Sequence, residues 1–332
     1  MEHRIDRIGN GQLLCLLALS QSFLLLNERE PMENGLLLLA VYAASALALL
    51  LLLHLFRRAG ELHPVQNHLR LRGALWLICI LYFVVTAHLL LDEVSVIFQG
   101  RFSPILVLLI LIVVAAATTA MGFEALCRGT FVLMFFFLAA LLLLGIGSAD
   151  QCTLLNLNLP ETSTSSVLDS IGAKLPAAGA ELLLFLLIRP LSAQPNALRQ
   201  GAWVLAGFGI SAALLILSSL SMGEYGTLTA YPLYALSRAA DLSSTAGMTP
   251  VYWFMLLCAA TVRLTALLTA AAYLRGAHKN SFPWVETILV LIGILLLMYS
   301  DTQILLLQRI AGAALLATLI FWRFWPWKEK SR

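Results

Sequence analysis

The chain has 332 residues, of which 60% are hydrophobic and only 12% are charged, and its net charge is +3. Soluble globular domains carry about a quarter charged residues, so this composition is typical of an integral membrane protein. No basic run is interleaved with aromatic residues, which leaves nucleic-acid binding without support. The five cysteines show no CxxC or other metal-ligand spacing, and the sequence predicts neither a metal site nor a cofactor.

Long apolar runs recur along the whole chain. A bilayer core of about 30 Å needs about 20 apolar residues in a helix. Prolines and polar segments separate the runs, and two of the runs are short. We therefore expect an all-α integral membrane protein, one transmembrane domain over residues 1–332 with about ten spans. The predicted spans are 10–26, 34–56, 73–93, 104–122, 128–148, 177–190, 199–222, 249–274, 283–300 and 303–321, and the loop 223–248 is predicted to hold a short helix against the bundle.

The distribution of basic residues predicts the orientation. With the N-terminus placed in the cytoplasm, fifteen of the 21 Lys and Arg residues fall on the cytoplasmic side and four on the outer side. The other two lie within spans. Cytoplasmic loops carry an excess of Lys and Arg, so we expect both termini in the cytoplasm.

Two ionisable residues lie near the middle of predicted spans. Glu181 lies in span six and Arg263 in span eight, at comparable depths. A charged side chain at mid-bilayer costs at least about 2.5 kcal/mol, so it normally faces a cavity or a partner. We expect both residues to border one buried polar cavity. The alternative is a buried ion pair that only locks two helices together.

Span six is predicted to be interrupted. Pro176 and Gly179 make the stretch before Glu181 a poor continuous helix. Residues 165–173 would form a short half-helix ahead of the break. A break at mid-depth exposes N–H and C=O groups, which are tolerated where they line a cavity. The alternative is a plain loop that ends at Pro176.

Span one contains the polar interruption Ser20, Gln21 and Ser22. Transporters built from inverted repeats have interrupted helices at matching positions of their two halves. Ten spans divide into five plus five, so spans one and six match, with repeats over about 8–148 and about 165–321. The alternative is that the serines only bond to carbonyls of their own helix.

Span three offers further polar groups. Tyr82 and Thr86 are four residues apart and share a helical face. Asp92 and Glu93, at the outer end of the span, are expected to be solvated. The chain contains no P-loop, HExxH, nucleophile elbow or paired-carboxylate motif, so the sequence predicts no enzymatic activity.

Four stretches resemble the spore germination permease family of the GerAB type, within the amino acid–polyamine–organocation superfamily. They are the opening Ile8–Leu13, the sixth-span stretch Gly179–Pro190, the loop Gly223–Arg238 with its Tyr231-Pro232, and Val262-Arg263-Leu264. The likeness extends over essentially the full length. It implies a LeuT-like fold, with the interrupted spans one and six placed beside spans three and eight around a ligand.

The resemblance also implies a function. The chain would be the membrane subunit of a germinant receptor in the spore inner membrane, and would bind an amino acid or similar small nutrient. Its partners would be the lipid bilayer, the small-molecule ligand and the other receptor subunits. The implied ligand-binding residues are Ser20, Gln21, Ser22, Tyr82, Thr86, Gly179, Glu181 and Arg263.

Two other functions stay open at this stage. One is a secondary amino acid transporter coupled to protons or sodium, in which Arg263 or Glu181 titrates or replaces the coupling ion. The other is a structural membrane protein without a ligand. The transporter and the receptor would share one site, so the sequence does not decide between them.

Overall fold

The computed structural model shows a bundle of helices. It describes residues 8–28, 35–56, 68–98, 103–156, 171–172, 174–191, 201–223, 229, 231–240, 247–276, 282–298 and 304–324. Within these ranges no β-strand is formed, and eleven α-helices of eight or more residues follow one another. They are α1 Asn10–Leu26, α2 Gly35–Phe56, α3 Leu69–Phe98, α4 Pro104–Met121, α5 Phe123–Ser148, α6 Gly179–Ile188, α7 Ala202–Met222, α8 Pro232–Ala239, α9 Thr249–Arg275, α10 Trp284–Met298 and α11 Ile304–Phe324.

The helix boundaries lie within a few residues of the predicted spans, and α8 is the short helix expected in the loop 223–248. In the described part of the chain, seven helices are long and apolar enough to cross a membrane, namely α2, α3, α4, α5, α7, α9 and α11. Helices α1 and α10 are apolar but shorter, and α6 has ten residues. Length and composition therefore support seven spans, and the count of ten stays a prediction.

Local sequence explains where several helices begin and end. Pro104 and Pro232 occupy the first turns of α4 and α8, where a missing N–H costs no helical hydrogen bond. Gly122 alone separates α4 from α5 and has a φ of 90°, which only glycine adopts without strain. That single residue turns the chain between two long apolar helices.

Helix α9 lies at the centre of the bundle. Most of its residues are buried, and it packs against α1, α3, α4 and α5. Helix α7 packs against α1 and α2, while α10 and α11 pack against α3. A single hydrophobic core connects the described helices from α1 to α11. Any polar side chain on the inner faces of α1, α3 and α9 is therefore enclosed by protein.

The outer faces of the bundle are strongly apolar. Phe131 and Phe135 on α5, Val113 on α4 and Leu296 on α10 are all more than half exposed. Large contiguous apolar surfaces are rare on monomeric soluble proteins. These faces fit the hydrocarbon of a bilayer.

Helix α1 corrects the prediction that span one is interrupted. All its residues are described, and the helix runs without a break through Ser20, Gln21 and Ser22. The Ser22 hydroxyl donates a 2.9 Å hydrogen bond to the Ala18 carbonyl four residues earlier. Serine side chains can make this bond within a helix, so a polar triplet does not by itself open one.

The sixth span, in contrast, is interrupted. Residues 174–177 are helical, Ala178 lies in a turn and α6 begins at Gly179. We call residues 174–178 the lead-in segment. The alternative of a plain loop ending at Pro176 does not fit, because Pro176 lies within the helical part. Of the half-helix predicted over 165–173, only residues 171–172 lie in the described part of the chain.

Candidate ligand site

A buried ion pair joins α6 to α9. Glu181 lies in the first turn of α6, and Arg263 Nη1 donates to its Oε1. Neither residue is more than 1% exposed. The Ser20 hydroxyl of α1 donates to the same Oε1 at 2.7 Å. One carboxylate oxygen therefore receives two donors, from two different helices.

The other oxygen of this carboxylate has a different environment. Glu181 Oε2 is buried and has no hydrogen-bond partner in the described part of the chain. A buried acceptor without a donor costs about 1–3 kcal/mol, more when it is charged. This oxygen is therefore an acceptor that a donor group of a bound ligand would satisfy.

The guanidinium of Arg263 contacts four separate segments. Its Nε donates to Thr86 Oγ1 on α3 at 3.2 Å, and its Nη1 lies 3.3 Å from the Ser20 carbonyl on α1. Its Nη2 donates to the Ala177 carbonyl in the lead-in segment at 3.0 Å. The Phe23 ring centroid lies 5.9 Å from the guanidinium carbon, a cation–π distance. Arg263 of α9 thus links α1, α3, α6 and the lead-in segment.

Tyr82 supports the lead-in segment from α3. Its hydroxyl donates a 2.8 Å hydrogen bond to the Pro176 carbonyl. The same hydroxyl lies so close to Gly179 that a Cβ on this residue would collide with it. Glycine at 179 is therefore required by the approach of Tyr82 to the start of α6.

Six of the eight predicted residues meet at this site. They are Ser20, Tyr82, Thr86, Gly179, Glu181 and Arg263. Gln21 instead lies against Gly207 of α7, and the Ser22 hydroxyl donates to the Ala18 carbonyl of its own helix. Successive side chains of a helix point about 100° apart. When Ser20 faces the site, the side chains of Gln21 and Ser22 therefore point away from it.

Comparison with known proteins identifies a family. The profile of the spore permease family, described as spore germination protein, matches residues 44–231. This range is more than half of the 332 residues. The chain belongs to this family. It is accordingly a multi-pass membrane protein of a permease family. No curated protein sequence matches the chain significantly.

The family match covers only part of the site. It includes Tyr82, Thr86 and Glu181, whereas Ser20 and Arg263 lie outside residues 44–231. The contacts of the Glu181 carboxylate in this spore permease family member therefore depend on α1 and α9, which the match does not reach.

A polar layer at one end of the bundle was not predicted. We call it the Glu28 layer, since Glu28 lies just after α1. Tyr42 of α2 donates to Glu28 Oε2 at 3.0 Å, and Lys174 of the lead-in segment forms an ion pair with the same oxygen. The Glu28 side chain is 4% exposed and that of Lys174 is 17% exposed. This ion pair ties the end of α1 to the segment that leads into α6.

The same layer continues around Glu93. Asn27 donates to Glu93 Oε2 and to the Leu89 carbonyl, the latter at 3.1 Å. The Tyr252 hydroxyl contacts Glu93 Oε1 and lies 2.9 Å from the Leu26 carbonyl. Glu93 is 0% exposed, so the prediction that it is solvated is wrong. Helices α1 and α9 cover this end of α3 and enclose the carboxylate.

Helical spacing could have indicated this layer in the sequence. Asn27 follows Ser20 by seven residues, and Glu93 follows Thr86 by seven. Tyr252 precedes Arg263 by eleven. Seven and eleven residues are close to two and three helical turns, so these residues share faces with the site. Polar residues repeated at this spacing in apolar helices were the missed signal.

The opposite end of the bundle has a second polar layer. Arg275 Nε, at the end of α9, donates to Glu286 Oε1 on α10 at 2.6 Å. Trp76 Nε1 of α3 donates to the same oxygen at 3.3 Å, and Arg72 Nη2 donates to the Arg275 carbonyl at 3.1 Å. The site around Glu181 and Arg263 therefore lies between two polar layers, each enclosing a buried carboxylate.

Proposed function

We propose that this chain is the membrane subunit of a spore germinant receptor. It binds an amino acid or similar small nutrient at mid-membrane among α1, α3, α6 and α9, which are predicted spans one, three, six and eight. One observation carries the proposal. A fully buried carboxylate, Glu181, is paired with a buried guanidinium and has one oxygen without a donor in the described chain.

The chemistry of the pair matches that of a free amino acid. The ligand's ammonium group would donate to Glu181, including Oε2. Its carboxylate would accept from the Arg263 guanidinium, whose planar fork suits two parallel hydrogen bonds to a carboxylate. Binding would replace one internal ion pair by two pairs to the ligand. The rearrangement would pass to α1, α3 and the lead-in segment, because Arg263 holds all three.

Contacts between α1 and the region of α6 support a LeuT-like fold. The Ile8 amide donates to the Leu191 carbonyl at 3.2 Å, Ser20 bonds to Glu181, and Glu28 pairs with Lys174. As the residue number rises along α1, the partner's number falls, so the two segments run antiparallel. An inverted repeat gives its first and sixth helices this relationship. We propose the two repeats over about 8–148 and about 165–321.

The orientation belongs to the same proposal. Both termini would lie in the cytoplasm and the Glu28 layer toward the outer side, and the excess of Lys and Arg in the predicted cytoplasmic loops supports this orientation. The membrane would be the spore inner membrane. The ligand-dependent change would be read by the other subunits of the receptor.

Ligand-dependent thermal stability of the purified full chain tests the proposal. A ligand that binds only the folded state raises the melting temperature with concentration. We expect at least one compound in a panel of the common amino acids to do so for the wild type. Glu181→Gln should abolish this shift. Glu124→Gln, which removes the carboxylate of the more exposed Glu124–Arg128 pair, should leave it unchanged.

The competing functions give other results. If no compound stabilises the wild type and Glu181→Gln only lowers its melting temperature, the pair is a structural lock and the receptor proposal fails. Uptake of a labelled amino acid by the isolated protein in liposomes would support the coupled transporter. A proton or sodium gradient that drives this uptake would identify the coupling ion.

A further inference from the structure

Helix α11 lies against the lead-in segment at a point of very close approach. A Cβ on Gly312 would lie 2.6 Å from Pro176 Cβ and 2.8 Å from Pro176 Cα. One turn further along α11, Leu315 Cδ2 lies 3.2 Å from the position of a Cβ on Gly179. Contacts below 3.0 Å to a backbone atom cannot be relieved by a side-chain rotation. No side chain larger than glycine fits at 312 unless the lead-in segment moves.

The two contacts fix how α11 and the lead-in segment are aligned. Gly312 and Leu315 are three residues apart, as are Pro176 and Gly179, and the numbers rise together. Helix α11 and the stretch from Pro176 to Gly179 therefore run in the same direction where they meet. The face of α11 that carries Leu315 is buried over four turns, at Gln308, Ala311, Leu315, Leu319 and Trp322. Helix α11 is a firmly packed support for the lead-in segment.

Tyr82 contacts the same stretch from α3. It bonds to the Pro176 carbonyl and contacts Gly179 from α3. The stretch from Pro176 to Gly179 is thus contacted by both α3 and α11. Within this stretch lies Ala177, whose carbonyl accepts from Arg263 Nη2 at 3.0 Å. Glu181 follows Gly179 by two residues. A shift of Pro176 is therefore expected to move two of the acceptors of Arg263, the Ala177 carbonyl and the Glu181 carboxylate.

We infer that α11 is a positioning element of the ligand site. Gly312 sets the position of Pro176 and, through it, the positions of the Ala177 carbonyl and the Glu181 carboxylate. Gly312 is a positioning residue, because it acts through the lead-in segment. The inference rests on the proposed function where ligand affinity is concerned. Its structural part, the coupling of Gly312 to Arg263, can be tested without a ligand.

Gly312→Ala is the direct test, with two matched controls. Gly209→Ala adds a methyl group to α7 where no heavy atom from the rest of the described chain, apart from the backbone of α7 itself, lies within 4 Å. Gly293→Ala adds one to α10 against the Val84 side chain of α3, 2.8 Å from Val84 Cγ2. We expect Gly312→Ala to raise the ligand concentration for half-maximal thermal stabilisation about tenfold or more. Both controls should keep the wild-type concentration, although Gly293→Ala lowers the unliganded melting temperature.

A double-mutant cycle with Arg263→Lys provides the ligand-free measurement. Lysine keeps a positive charge beside Glu181 but lacks the guanidinium group that donates to the Ala177 carbonyl and to the Thr86 hydroxyl. If Gly312 positions Ala177, the melting-temperature losses of Gly312→Ala and Arg263→Lys should be clearly non-additive. The losses of Gly293→Ala and Arg263→Lys should add. Additive losses for Gly312 overturn the inference.

The outcomes separate the two proposals. If no ligand changes the melting temperature of the wild type, the proposed function fails. The double-mutant cycle of Gly312→Ala with Arg263→Lys then tests the structural part of the inference by itself. A wild type that binds while Gly312→Ala binds equally well overturns the inference only. If Gly312→Ala does not fold, Leu315→Ala takes its place in both measurements, since it removes the contact to Gly179 without adding volume.

Discussion

The Ser20 hydroxyl donates a 2.7 Å hydrogen bond to Glu181 Oε1 across 161 residues of sequence. This bond joins α1 directly to the carboxylate that pairs with Arg263. The bond also distinguishes Ser20 from Gln21 and Ser22, because of these three residues only Ser20 contacts the ion pair.

Removing the Ser20 hydroxyl should weaken the site. A hydrogen bond to a charged group contributes about 1.5–3 kcal/mol, so Ser20→Ala should lower the free energy of unfolding by about this amount. Ser22→Ala is the matched control, because the Ser22 hydroxyl donates to the Ala18 carbonyl of its own helix and not to the ion pair. Chemical or thermal unfolding of the purified variants measures both. Equal effects at the two positions would contradict the assignment.

Breaking the ion pair from either side should be costly. Glu181→Gln or Arg263→Met leaves a buried polar or charged group without its partner, and we expect about 3–5 kcal/mol of destabilisation from each. The double variant should recover a large part of this loss, because neither charge remains. The test is a double-mutant cycle on the free energy of unfolding. A double variant as unstable as the sum of the single changes would show that the two residues are not coupled.

The contact between Tyr82 and Gly179 gives a prediction of rescue. Gly179→Ala should be strongly destabilising, because the added Cβ collides with the Tyr82 hydroxyl. Tyr82→Phe removes that oxygen and leaves the nearest ring carbon 3.4 Å from the new Cβ, an ordinary contact. The double variant should therefore melt at a higher temperature than Gly179→Ala alone. If Tyr82→Phe lowers the melting temperature equally in both backgrounds, the close approach is not what requires glycine at 179.

The Glu28 layer can be compared with an exposed ion pair. Lys174→Met removes the cation beside a 4% exposed carboxylate, and about 3 kcal/mol or more of stability should be lost. Arg128→Met removes a cation whose side chain is 69% exposed from the pair with Glu124. Exposed pairs contribute about 0–1 kcal/mol, so this change should be nearly silent. The melting temperatures of the two variants, measured under the same conditions, make the comparison. A Lys174→Met variant with the wild-type melting temperature would show that the Glu28 layer does not stabilise the bundle.

The sequence by itself determined the helices and the two central charges. Apolar runs gave α1 the boundaries that the structure has, 10 to 26, and placed the start of α4 at Pro104. This works because hydropathy and helix-breaking residues act locally along the chain. The cost of a charge in an apolar span singled out Glu181 and Arg263, which the structure brings together.

Only the tertiary structure decided which way the side chains face and what covers them. Glu93 is enclosed because α1 and α9 lie over the end of α3, and Gln21 is turned from the site because α7 lies beside α1. Gly312 touches Pro176 although 136 positions separate them in the sequence. Hydropathy measures how much apolar surface a helix has. The neighbour that each face meets depends on how whole helices pack, and contacts between distant segments decide that.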